Sequence, residues 1–538
     1  MTGADIMVKC LEKEGVKDIF GYPGVAIAPF YESVRASKIN AVLVRTEQSA
    51  AHAASGYTRI NKEIPGVCAV TSGPGATNLI TGIATAFADS IPLICITGQV
   101  KSELMGGDVF QEADITGACE SFVKYSYLIR DVDDIPRVFK EAFHVANTGR
   151  KGPVLIDVPI DIQQADVRRF NYPDEVNMRT YKPTVKGNMV QINKVISELE
   201  KAKRPLIYAG GGVLLSDAGD KLEEFATKHN IPVVSTMMGI GVIPTEHPLY
   251  FGMVGNNGKA YANRAVAESD VLIVVGARVA DRAVNQPDLI TKDKVMIHID
   301  VDPAEIGKNA GPSIPLVGDA SYIFDDLLVK DYEADYGEWI DTLDVYRERL
   351  KEKEKISKDY VDSPAFIRAL SKSMKDDSVY VADVGQNQMW SCANVIIKDG
   401  RFLTTGGMGT MGYSIPAAMG AKLADKSRQV VAVCGDGSFQ MSMCELATIR
   451  QNKLPVKIIV FNNGYLGLVR QFQHFNYAGN YSVVDLSGNP DLEKLSAAYD
   501  IPFIRVHNNT EVDDAIKKFL KNDEAYLMEC IIDPMAVV

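Results

Sequence analysis

Two apolar runs in the last third of the chain constrain its fold more than any other feature. Residues 430–434 lead into Gly435-Asp436-Gly437-Ser438, and residues 457–461 lead into Asn462-Asn463, with 24 residues between the GDG triplet and the asparagines. Runs of this length bounded by Gly and Asn read as buried strands. As two strands of one parallel sheet, they deliver a carboxylate and a carboxamide to the same crevice, where open α/β sheets bind ligands. Hard oxygen donors beside exposed Gly-rich backbone suit a Mg²⁺ shared with a diphosphate, because the metal keeps part of its shell for phosphate oxygens. A GDG turn by itself is an ordinary strand–turn–helix bend. The asparagine pair at this distance is what adds chemistry to it.

The chain has 538 residues, too many for one core, and ordinary domain sizes predict three or four units. Its 46% hydrophobic and 23% charged content is that of a soluble globular protein. A net charge of −12 argues against nucleic acid or an anionic membrane as a partner. No apolar stretch reaches the length of a membrane span. The first residues lack a basic region followed by an apolar core, so we expect no signal peptide and a cytoplasmic location. The eight cysteines are scattered singly, several inside apolar runs, which predicts buried reduced thiols and no metal-ligand or disulfide framework.

Helical periodicity and apolar runs alternate almost throughout. This predicts an α/β class with three doubly wound parallel-sheet domains, at residues 1–165, 189–330 and 363–538. Strands are expected near residues 19–20, 41–45, 66–71, 93–97 and 154–158 in the first block. In the second they are expected near 205–209, 233–234, 271–275 and 295–299. The polar, Pro-containing stretch 163–188 reads as a linker, and the charged stretch 341–358 as a solvated connecting helix. There is no short-period repeat, yet three blocks of similar size suggest duplication.

In the first block, Arg45-Thr46-Glu47-Gln48 marks a strand giving way to an Ala-rich helix. A glutamate there is favourable to the helix dipole on its own account. The interval from GDG to Asn-Asn, however, matches a thiamin diphosphate (ThDP) binding motif. In such a site a carboxylic acid beside the aminopyrimidine ring favours the imino form that activates the thiazolium carbon.

Longer segments carry the same resemblance: Phe20-Gly-Tyr-Pro-Gly24, Thr71-Ser-Gly-Pro-Gly-Ala-Thr-Asn-Leu79, Asp89-Ser-Ile-Pro92, Ile96-Thr-Gly-Gln-Val100, Val109-Phe-Gln-Glu112, Gly406-Gly-Met-Gly-Thr-Met-Gly412 and Leu466-Gly-Leu-Val-Arg-Gln471. The chain resembles, over nearly its whole length, the acetohydroxyacid (acetolactate) synthase catalytic subunits of the ThDP-dependent decarboxylase and carboligase superfamily. That resemblance implies a pyrimidine-binding, a central and a diphosphate-binding domain. It also implies active sites shared between the first domain of one subunit and the third of another, so a homodimer or homotetramer, and it leaves room for a small regulatory subunit. The activity it implies is decarboxylation of pyruvate and condensation of the two-carbon unit with a second 2-keto acid to give 2-acetolactate.

By the same resemblance, Glu47 is the catalytic acid. Asp436, Asn463 and the Tyr465 carbonyl hold Mg²⁺. Gly385, Gln386, Asn387, Gly435, Gly437, Ser438, Gly409 and Gly467 surround the cofactor, and Met411 wedges it into a bent form. FAD is expected in the central domain without a redox role, near Arg150, Gly210, Gly211, Gly212, Arg278, Asp300 and Asp319. Arg278 is the expected clamp on the acceptor carboxylate. Val25, Phe110, Gln111 and Phe472 are expected to wall the reacting centre.

Departures fall close to that site: Val25 for a glycine, Thr46 for a histidine, Ile160 for a lysine, Asn387 for a histidine, Asn256-Asn257 for Met-His, and Phe472 for a tryptophan that favours 2-ketobutyrate. The smaller Phe472 predicts little preference for 2-ketobutyrate over pyruvate. The sequence ends at Asp533-Pro-Met-Ala-Val-Val538, where the relatives continue with a Pro-rich tail over the site. Loss of such a cover predicts some acetaldehyde as a side product. Other readings are a related ThDP lyase using another 2-keto acid or an aldehyde acceptor, a non-catalytic ThDP- or FAD-binding regulatory protein, and a flavin-dependent oxidoreductase. Glyoxylate carboligase is disfavoured, because that relative lacks a glutamate where Glu47 stands.

Overall fold

The computed structural model describes residues 1–538 apart from 168, 285–289 and 351–356. Three six-stranded sheets follow one another along the chain. The N-terminal sheet comprises β1 (Asp18–Tyr22), β2 (Asn40–Leu43), β3 (Gly66–Val70), β4 (Leu93–Gln99), β5 (Tyr125–Leu128) and β6 (Pro153–Pro159). The central sheet has β7 (Pro205–Ala209), β8 (Val233–Ser235), β9 (Tyr250–Met253), β10 (Val271–Val275), β11 (Val295–Asp300) and β12 (Ile314–Val317). The C-terminal sheet has β13 (Val379–Ala382), β14 (Arg401–Leu403), β15 (Val430–Gly435), β16 (Val456–Asn462), β17 (Phe503–Val506) and β18 (Tyr526–Ile531). Every strand pairing is parallel, as expected for apolar runs joined by helices.

The strand orders sort the three units. The N-terminal sheet runs β2-β1-β3-β4-β6-β5 and the C-terminal sheet β14-β13-β15-β16-β18-β17, the same order when each is counted from its own first strand. The central sheet runs β12-β11-β10-β7-β8-β9, the order of dinucleotide-binding sheets. The suggested duplication therefore relates the first and third units and not the second.

One apolar core runs through both outer units. It joins Phe20, Val70 and Cys95 on one side to Val381, Ala432 and Val460 on the other. Two helices bridge it, Glu47–Asn61 after β2 and Ser414–Ala424 after β14. They cross at small residues: a Cβ at Gly56 would strike the Ala417 carbonyl, and one at Gly420 the Ala53 carbonyl. Glycine at both positions brings the backbones into direct contact, which explains the Ala-rich composition of the first helix. The central unit has two cores of its own and adds Ile240 and Met253 to a core of the C-terminal unit.

The charged segment differs from its expectation. Its helix, Gly337–Arg349, begins earlier and is not a free connector. Trp339 and Leu343 are buried against the central sheet, and Trp339 Nε1 donates to the Pro205 carbonyl at 3.1 Å. Two apolar residues four apart outweigh the charges around them. The rest of that segment includes residues 351–356, outside the described residues. All eight cysteines are free, and seven are buried.

Candidate active site

β15 and β16 end side by side, Gly435 opposite Phe461. Each strand hands its polar cluster to the same crevice. Asp436 opens the helix Asp436–Ser442 and is buried, its Oδ2 accepting from Gly464 N at 3.1 Å and Asn489 Nδ2 at 2.7 Å. Burial pushes this carboxyl up to about 6, against the pull of neutral hydrogen-bond partners. A carboxylate in that setting gains most from a nearby cation. Asn463 is also buried, accepts from Tyr465 N at 2.9 Å, and lies 3.3 Å by its Nδ2 from Gln386 Oε1.

Two helix N-termini face the same space. Gly385, at φ 137°, caps the helix Gln386–Asn394, and Gly435 caps Asp436–Ser442 with its N–H donated to Ser438 Oγ at 3.2 Å. Paired N-termini suit a doubly charged anion. The pocket between them, about 80 Å³, is lined by Gly385, Gln386, Asn387, Met411, Gly435, Asp436, Gly437, Ser438, Asn463, Tyr465 and Gly467. At Gly467 a Cβ would meet Asn463 Nδ2 at 2.6 Å, so only glycine keeps this wall open. The donor set and the helix ends fit a Mg²⁺–diphosphate group.

Met411 rides on a loop held at its far end by the fully buried Asp383, which accepts from Gly412 N at 2.9 Å and Ser414 N at 2.8 Å. Asn387, the departure from histidine, donates to the Asp383 and Val433 carbonyls and so ties the ends of β13 and β15 together. Gln386 turns its amide outward, to Gln471 Oε1 at 2.9 Å and the Ala536 carbonyl at 2.8 Å.

Glu47 opens the first bridging helix. Thr46 caps it, accepting from Ser49 N at 3.3 Å, which gives this departure a structural task. The Glu47 carboxylate is half-buried and accepts from Asn78 Nδ2 at 3.0 Å. Every residue lining the diphosphate pocket comes from the C-terminal unit, so within one chain Glu47 stands outside it.

Residues 1–118, 192–327 and 383–530 match, in order, the families described as the N-terminal TPP binding domain, central domain and C-terminal TPP binding domain of thiamine pyrophosphate (thiamin diphosphate) enzymes. The chain is 42% identical to a probable acetolactate synthase large subunit of Methanocaldococcus jannaschii, over 99% of this chain and 92% of that one. It is also 42% identical to the acetolactate synthase large subunit of Corynebacterium glutamicum, over 100% and 88%. With the acetolactate synthase of Arthrospira platensis it shares 40%, over 98% and 94%. The chain belongs to the acetolactate synthase large-subunit family.

As a member of the acetolactate synthase family it carries a second cavity, of about 900 Å³, between all three units. This cavity gathers Arg150, Gly211, Gly212, Arg278, Asp300, Asp319, Gly409 and Phe472. Gly210 lies outside its lining and meets the Gly276 backbone instead. Arg150 bridges Asp302 at 3.1 Å and Glu305 at 2.7 Å, while Glu305 Oε2 is buried with no hydrogen-bond partner among the described residues. Asp300, at the end of β11, is pushed up to about 6 by burial. Asn256 and Asn257 line the cavity, and Asn257 Nδ2 lies 3.1 Å from Met389 Sδ. Its size, acidic strand end and orphaned oxygen fit a dinucleotide.

The remaining wall residues stay apart. Val25 is 78% exposed and Phe110 is 87% exposed, and neither they nor Gln111 line either cavity. Sequence reasoning missed Asn489, Asp383 and Glu445, which act through hydrogen bonds that no short motif announces, and it gave Asp89, quoted within Asp89-Ser-Ile-Pro92, no task.

Proposed function

We propose that this protein is the catalytic subunit of a ThDP- and Mg²⁺-dependent acetolactate synthase, joining the two-carbon unit of pyruvate to a second 2-keto acid. The observation that carries this reading is the meeting of Asp436, Asn463 and two helix N-termini in one pocket, on a chain similar to acetolactate synthase large subunits from end to end. ThDP, when bound, supplies the nucleophilic carbon and the electron sink for decarboxylation.

The chain's own residues do the rest. Asp436, Asn463 and the Tyr465 carbonyl would hold the metal, and the helix ends at Gly385 and Gly435 would offset the charge of the diphosphate. Met411, which lines the pocket, would pack against the bound cofactor. Glu47 would hold a proton for it at its carboxylate. Arg278 grips the acceptor carboxylate in the fork geometry of a guanidinium. Val25, Phe110 and Gln111, which line neither cavity within one chain, would join Phe472 in excluding water once a partner chain completes the site.

Because Glu47 lies outside its own chain's pocket, we assign each site to two chains, with a homodimer as the least working unit. We assign the large cavity to FAD in a structural role. The large-subunit names of the relatives support a small regulatory partner for this chain as well. No described helix is long and apolar enough to cross a membrane, and we place the enzyme in the cytoplasm with its substrates.

The decisive experiment incubates the purified protein with pyruvate, ThDP and Mg²⁺ and quantifies acetolactate, acetaldehyde and CO₂. One acetolactate and one CO₂ for every two pyruvates consumed, lost in Glu47→Gln, is the expected result. No product from pyruvate would transfer the reading to another 2-keto acid.

A further inference from the structure

The two outer units share a strand order, and their contact carries a reciprocal arrangement that the mechanism above does not use. Glu445 belongs to the connection between the third and fourth strands of the C-terminal sheet, β15 and β16. It is fully buried, and its Oε1 accepts from Arg45 N at 2.9 Å, two residues before Glu47. Its Oε2 is oriented by Thr448 Oγ1 at 2.7 Å.

Asp89 occupies the matching connection in the N-terminal sheet, between β3 and β4, at the C-terminal end of the helix Pro74–Ala88. Its side chain is fully buried. Oδ1 accepts from Gly407 N at 2.7 Å and Gly406 N at 3.2 Å, the start of the loop that carries Met411. Oδ2 faces Arg59 at 3.3 Å, and Arg59 in turn donates to the Thr404 carbonyl. In each unit, then, a carboxylate from the third connection crosses into the other unit. There it holds the loop that opens the helix between the second and third strands.

Those two helices are the pair that cross at Gly56 and Gly420. A buried carboxylate accepting backbone N–H bonds fixes backbone more firmly than a neutral acceptor. We propose that Glu445 and Asp89 are positioning residues. Each pins, from the opposite unit, the loop that presents a cofactor-facing side chain, Glu47 for Glu445 and Met411 for Asp89. The assignment of those two side chains rests on the function proposed above; the pinning itself does not.

The test uses residue-resolved amide hydrogen exchange on the whole protein without cofactor. In Glu445→Gln, exchange at Arg45 is expected to rise about tenfold or more while Gly406 and Gly407 stay within about twofold. Asp89→Asn is expected to give the reverse pattern. Thr448→Val, which leaves the carboxylate in place but unoriented, should repeat the Glu445→Gln pattern more weakly and covers the case in which that variant does not fold. Unchanged exchange at these amides, or a rise spread evenly over the core, would overturn the proposal.

With ThDP and Mg²⁺ added, Glu445→Gln should slow exchange of the cofactor's C2 proton about tenfold, with half-saturation by ThDP within about threefold. An equal loss in both quantities would mark a merely structural role and overturn the positioning assignment. A wild-type protein that makes no acetolactate would count against the proposed function alone, since the exchange pattern is read without cofactor.

Discussion

The N-terminal and C-terminal units have the same strand order and put it to opposite uses. In the C-terminal sheet the third and fourth strands end in Asp436 and Asn463, which leave an open, anion-ready crevice. In the N-terminal sheet the fourth strand ends in Thr97 and Gln99, whose polar groups are consumed internally. Asp157 accepts from Thr97 Oγ1 at 2.6 Å and Gln99 Nε2 at 3.0 Å, and Gln99 also donates to the Ala113 carbonyl. One topology therefore yields a ligand cradle in one copy and a sealed strand end in the other. Strand order decides where a ligand can sit; the side chains at the strand ends decide whether one does.

The largest expected effect breaks the contribution of the N-terminal unit. Glu47→Gln should lower kcat for acetolactate by about a thousandfold with ThDP half-saturation little changed, because the variant loses a proton-holding group and no cofactor anchor. Next comes the cradle: Asp436→Ala should raise the Mg²⁺ and ThDP concentrations for half-activity by about a hundredfold, measurable by cofactor titration. Phe472→Trp should shift a competition between 2-ketobutyrate and pyruvate towards 2-ketobutyrate by about tenfold, the worth of one well-packed methylene.

The smallest effect tests the sealed end. Burial pushes the Asp157 carboxyl from the ordinary 3.8 to about 7. The folded state thus keeps a proton that the unfolded chain loses, so this group's stabilisation is full below about pH 4 and is lost as pH rises through about 7. Asp157→Asn removes that decline. Its Tm should gain about two degrees on the parent between about pH 5 and pH 8, read by thermal melts.

The parts of this molecule that were legible in sequence are those made by neighbours in the chain. The GDG turn, the Asn pair, the Glu47 helix start and the buried thiols are local patterns with local causes. The edge strands Tyr125–Leu128, Tyr250–Met253, Ile314–Val317, Arg401–Leu403 and Phe503–Val506 were not, because runs of three or four residues are too short to show a period. Val379–Ala382 and Tyr526–Ile531 are interior and apolar, and their periodicity alone does not separate strand from buried helix. The site shows the same division. Asp436 sits in a recognisable triplet and Asn463 in a recognisable pair, whereas Glu445 meets Arg45 across 400 residues of chain. A charged residue inside an otherwise apolar stretch was the signal available for it.

The separation of Glu47 from its own chain's diphosphate pocket has a consequence for inheritance. On the proposed dimer, a Glu47→Gln chain and, at limiting cofactor, an Asp436→Ala chain are each close to inactive alone. Mixed in one assembly, they leave one site with both defects and one with neither. Co-expression of two dead alleles should therefore restore acetolactate formation, and a cell carrying both should grow where neither parent does.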